Sequence, residues 1–175
     1  MEAAMASHSC THEEDAGWEE QLGDLLPLLG HRNWIVVADA AYPAQSKAGI
    51  ETAVLECGQM EAVGKVWAAL EAQKHIRAQV YVDAELEHLT EKDARGVGLY
   101  RRRLSALLGA ARKTLPHEEI ITKLDKAAKK FRVVILKTTM TIPYTSVFFE
   151  LECGYWSADA EEALRARMTA AKKKK

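Results

Sequence analysis

The chain has 175 residues, with 24 Lys+Arg against 25 Asp+Glu and a formal net charge of −1 at pH 7. That balance excludes a protein built mainly to grip the nucleic-acid backbone, which takes a strong basic surplus. Hydrophobic residues at 48% suffice for one sizeable core, while 28% charged and 7% aromatic residues describe an ordinary soluble globule.

Residues 1–16 are polar without an apolar period and read as a flexible tail. Met1-Glu2-Ala3-Ala4 lacks the basic start and apolar stretch of a secretory signal. His8, Cys10 and His12 lie in this tail without an obvious fourth ligand, so no metal site is expected. Cys10, Cys57 and Cys153 are odd in number and far apart, which argues against a disulfide framework and for a reducing cytoplasm.

From Trp18 onward, Leu22, Leu25, Leu26 and Leu29 recur at helical spacing; Pro27 is set to end or kink that helix, and Gly30 to stop it. Trp34–Ala38 is continuously apolar, the pattern of a strand covered on both faces. Residues 59–73 carry Met60, Val63, Val66, Trp67 and Leu70 on one helical face, and Gln79–Val82 reads as a second strand. Thr90 and Asp93 resemble a capping box opening a long helix to about Arg112. Beyond Pro116 the sequence predicts a strand at Glu119–Thr122, a helix at Asp125–Lys130, and strands at Arg132–Lys137 and Val147–Leu151. Residues 157–171 form a charged, Ala-rich helix before the Lys172–Lys175 run, which is too short to anchor a membrane alone. No apolar run approaches the ~20 residues of a membrane helix. Strands alternating with helices predict a three-layer α/β/α domain with a mainly parallel or mixed sheet over 17–156, followed by a helical extension over 157–175.

Several polar residues sit where chemistry is easy to arrange. Asp39 directly follows the apolar strand, and the carboxyl ends of strands in open α/β sheets are where ligands bind. A strand-end Asp can equally cap its own turn. His31, in the link before the same strand, carries an imidazole suited to acid–base work near neutral pH, or is a surface or helix-end residue. Tyr144 and Ser146 share a face if their segment is extended, and could hold a polyol or merely shape a turn. There is no Gly-rich phosphate loop, GxSxG elbow or HExxH motif, which makes kinases and dehydrogenases a poor fit.

Taken together, Leu29-Gly30-His31, Val36-Val37-Ala38-Asp39-Ala40, Tyr42-Pro43-Ala44-Gln45-Ser46 and Pro143-Tyr144-Thr145-Ser146 resemble the D-ribose pyranase/L-fucose mutarotase family, more closely its fucose branch, over about Leu22 to Gly154. The resemblance implies a cofactor-free isomerase that opens a free monosaccharide and recloses it as another ring form. It implies His31 as general acid/base, with Asp39, Tyr144, Ser146 and Gln45 binding the sugar. A cationic or imidazole group completes the family site: Lys123, or His117 if the alignment gap falls earlier. It also implies a ring-shaped pentamer or decamer with sites between subunits, while the charge balance and the lack of a long apolar run argue for no nucleic-acid or membrane partner. Ser146 stands where the family has Asn, Gln45 where the fucose branch commonly has His, and Lys123 would replace Arg or His. A non-catalytic sugar-binding or scaffold role on the same fold is therefore the alternative. His31 and Asp39, eight residues apart across one strand, are expected to face a common pocket.

Overall fold

The computed structural model describes residues 16–172. The tail through Asp15, with His8, Cys10 and His12, and the final Lys173–Lys175 lie outside the described residues. The first helix, α1 (Ala16–Leu25), gives way to a single 3-10 turn at Leu26–Leu28, where Pro27 cannot continue an α-helical ladder. Then come β1 (Trp34–Ala38), β2 (Ile50–Val54), α2 (Gln59–Glu71) and β3 (Ile76–Asp83). The second half holds α3 (Val97–Leu108), β4 (Arg112–Leu115), α4 (His117–Ala127), β5 (Val133–Lys137), β6 (Val147–Cys153) and α5 (Ala158–Lys172).

The six strands form one mixed sheet in the order β2-β5-β1-β6-β3-β4. β1 pairs parallel with β5, β5 with β2, and β3 with β4; β6 runs antiparallel between β1 and β3. Alternation along the strands divides the core. Ile35, Val37, Val80, Val82, Val134, Leu136, Val147 and Phe149 pack with residues of α1, α2 and α3, whereas Trp34, Val36, Tyr81, Val133, Ile135 and Phe148 pack with Ile120 and Leu124 of α4. The three-layer α/β fold expected from the sequence is the fold observed, and no described helix is long and apolar enough to cross a membrane.

Two local expectations fail for identifiable reasons, and one strand corresponds to no expectation. Glu119–Thr122 is helical, inside α4, because Ile120 and Leu124 sit four apart and are both fully buried. The adjoining strand lies earlier, at Arg112–Leu115. Thr90 and Asp93 do make capping-box contacts: the Asp93 carboxylate accepts from the Thr90 N–H at 2.8 Å and its hydroxyl at 2.7 Å. Yet only a turn follows, since Gly96 adopts φ 90° and the helix begins at Val97. β2, an edge strand with Val54 exposed, was not anticipated at all.

Candidate functional site

Topology gathers one end of the sheet into a cleft of about 610 Å³. The parallel strands β1 and β3 finish there, and antiparallel β6 starts there. Asp39, Tyr42, Gln45, Asp83, His117 and Tyr144 are among the residues that line it. Because Val37 pairs with Val147, Ser146 arrives beside the end of β1. Its hydroxyl donates to Asp39 Oδ2 at 2.9 Å and accepts from the Asp39 N–H at 3.2 Å. Asp39 Oδ1 accepts from the Ala41 N–H at 3.0 Å. Asp39 thus caps its own turn and also lines the cleft, and each of its oxygens, fixed by one local bond, can accept another.

Parallel pairing of β3 with β4 sets Asp83 opposite Leu115, so His117, two residues later at the start of α4, reaches back to it. His117 Nδ1 lies 3.1 Å from Asp83 Oδ1, and the Glu85 carboxylate accepts the His117 backbone N–H at 3.0 and 3.1 Å. The imidazole meets Tyr144 edge-on at 5.7 Å. Tyr144 holds φ 59°, a left-handed conformation that costs a bulky residue energy and marks a constrained position. Burial pushes the Tyr42 phenol up to about 12 and the Asp83 carboxyl up to about 6.

Beneath the cleft, Gln59 is 1% exposed and fully employed. Its Nε2 donates to the carbonyls of Val37 at 2.9 Å and Thr145 at 2.8 Å, while Oε1 accepts from the Thr138 hydroxyl at 2.6 Å. The Tyr100 hydroxyl also donates to Thr145 O, at 2.6 Å. These bonds tie the ends of β1 and β5 to the segment before β6.

Two residues expected in the site stand elsewhere. His31 precedes β1, whose five residues span roughly 16 Å. It is exposed and lines cavities at the opposite end of the sheet, so it does not share the Asp39 cleft within one chain. The eight-residue spacing misleads because an extended strand carries its flanking residues apart. Lys123 lines one of those same cavities, with His31, Arg32, Lys126, Lys129 and Lys130. Its Nζ sits 3.5 Å from Glu150 and 5.2 Å from the Tyr81 ring centroid. It does not line the Asp39 cleft, although Ile121 on the same helix does, whereas His117, the other candidate, lines that cleft. Asp83 carries no distinguishing signal in the sequence, where it looks like an ordinary strand-end acid. No group of three or more His, Cys, Asp or Glu side chains among the described residues is arranged to hold a metal ion.

A profile described as the RbsD / FucU transport protein family matches residues 17–154. The chain belongs to that family. Among solved structures, the fold resembles Bacillus subtilis RbsD complexed with D-ribose, at 21% identity and a TM-score of 0.53, covering 85% of this chain and 98% of that one. It also resembles FucU from Bifidobacterium longum, at 13% identity and a TM-score of 0.51, covering 76% and 92%. Both branches of the RbsD / FucU family are therefore represented among its neighbours, and the comparisons do not single out the fucose branch expected from the sequence. No curated protein sequence matches the chain.

Proposed function

We propose that this chain binds a free monosaccharide in the cleft beside Asp39 and interconverts its ring forms. The observation that carries the reading is the cleft itself: a fixed carboxylate, an imidazole and a phenol converge there. Family membership supports a sugar-directed role, as does the relative described in complex with D-ribose. Asp39 and Tyr144 suit sugar hydroxyls, with Gln45 at the rim. Ser146, buried and bonded to Asp39, orients the carboxylate rather than reaching far into the cleft.

Ring opening needs one base and one acid. The base takes the anomeric hydroxyl proton as the bond from the anomeric carbon to the ring oxygen breaks. That bond's electron pair stays on the ring oxygen, which takes a proton from the acid; reclosure reverses both transfers. His117 supplies one imidazole from within the chain. His31 supplies the other if the end of the sheet that carries it covers the cleft of a second copy. Charge supports such a head-to-tail contact on one side of His31, where Arg32, Lys123, Lys126, Lys129 and Lys130 outnumber Glu150, whereas Asp39, Asp83, Glu85 and Glu118 surround or line the cleft.

Saturation-transfer NMR across a panel of monosaccharides tests the reading by recording binding and anomer exchange together. We expect exchange faster than in buffer for at least one sugar. Binding without faster exchange would leave a non-catalytic sugar-binding protein, and neither would remove the sugar assignment.

A further inference from the structure

A residue outside the expected set governs what His117 can do, on the reading of the cleft just given. Asp83 closes β3 and is 1% exposed. A carboxylate this deep is costly unless a partner offsets its lost hydration. Its Oδ2 is buried with no hydrogen-bond partner, so the contact of Oδ1 with His117 Nδ1 is its one side-chain hydrogen bond among the described residues. The same ring is braced by Tyr144 and, at 6.5 Å, by Phe148, and its backbone is held by Glu85. His117 Nε2 has no protein partner among the described residues, and the ring lines the cleft.

We propose that Asp83 is a positioning residue for His117: its carboxylate accepts the Nδ1 hydrogen, fixes that tautomer, and leaves the Nε2 lone pair to accept from a sugar hydroxyl. Asp83 borders the cleft but is only 1% exposed, and on this proposal it acts through the imidazole. An imidazole without such a partner exchanges tautomers and tilts, and presents a donor to the sugar part of the time. The groups around the pair are Glu85 on its own side, Asp39 at the end of β1, Glu118 on α4 and the Tyr144 phenol. Glu85 and Asp39 reinforce the upward push of burial on Asp83, against the pull of His117, which places the carboxyl at about 6. Above that pH the carboxylate is the acceptor the arrangement requires. Below it, the carboxyl proton competes for Nδ1.

Nitrogen-15 NMR of the His117 ring, in the sugar-free full chain at neutral pH, reads the tautomer directly. The expected spectrum has hydrogen on Nδ1 and a bare Nε2, and Asp83→Asn shifts it toward the opposite tautomer or a mixture. Hydrogen on Nε2 in the wild type would overturn the proposal without any variant, as would an Asp83→Asn spectrum unchanged from wild type. Kinetically, Asp83→Asn should lower the maximal exchange rate at least about tenfold and move the acid limb of its pH profile, with little change in KM. A raised KM with the maximal rate and pH profile intact would overturn it too. If the wild type exchanges no sugar while the ring spectra behave as expected, the catalytic reading fails and the hold of Asp83 on the ring stands.

Discussion

At its C-terminal end β1 runs into Asp39, whose two oxygens are each fixed by a hydrogen bond, in a cleft that also holds the buried Asp83 and Tyr42 and the half-buried His117. At its N-terminal end the same strand follows His31 and Arg32, both exposed, with Lys126, Lys129 and Lys130 around them and Arg32 at φ 76°. The first end organises its polar groups from inside the fold. The second leaves an imidazole and a set of cations for something outside the chain to meet. One strand can therefore serve a single site twice only when two copies join, which is why a spacing of eight residues cannot be read as proximity.

The largest expected effect breaks or sharpens that contrast directly. His31→Ala should lower anomer exchange about 10²–10⁴-fold with sugar affinity nearly intact, whereas Asp39→Asn should weaken rate and affinity together. Mixing the two variants under exchange of subunits should return about a quarter of wild-type activity if every site draws one residue from each of two copies. No recovery, or a monomeric mass by light scattering at micromolar concentration, would mean that the two ends of β1 serve separate purposes.

A smaller effect belongs to the interior end alone. The folded protein holds the Asp83 proton more tightly than the unfolded chain does, with the carboxyl raised from 3.8 to about 6. The sign follows: the stabilisation is present at low pH and is lost as pH climbs from about 4 past 6, by roughly 2–3 kcal/mol. Denaturant titrations across that window should show the slope in wild type and its flattening in Asp83→Asn.

The smallest effect lies toward the outer end. Lys123→Ala removes a half-exposed pair with Glu150 and a contact over Tyr81, and should cost under about 1 kcal/mol in the same titrations. A much larger loss would show that the outer end is also organised from within.

The sequence made β1 and Asp39 legible because a short unbroken apolar run, Trp34–Ala38, has the pattern of a strand buried on both faces, and the end of such a strand is a fixed place in an α/β sheet. β2 escaped notice because an edge strand such as Ile50–Val54 is half-solvated and shows no dominant period. The Ile120-Ile121-Thr122 run looked like a strand on β-branched composition, although the buried Ile120 and Leu124 spacing carried the stronger helical signal. The pairing of Asp83 with His117 could not be read at all. The two residues are 34 apart, and only the parallel register of β3 with β4 brings them together.

The buried amide of Gln59 has a consequence for how fast a ligand comes and goes. It bonds at once to the end of β1, to Thr138 just past β5 and to Thr145 before β6, so the floor beneath the cleft loses its freedom when the chain folds, not when a ligand arrives. Association then carries little ordering entropy from this floor and no slow rearrangement of it. Occupancy should track ligand concentration on the timescale of diffusion and release, with the segments on either side of Gln59 nearly superimposable whether the cleft is filled or empty.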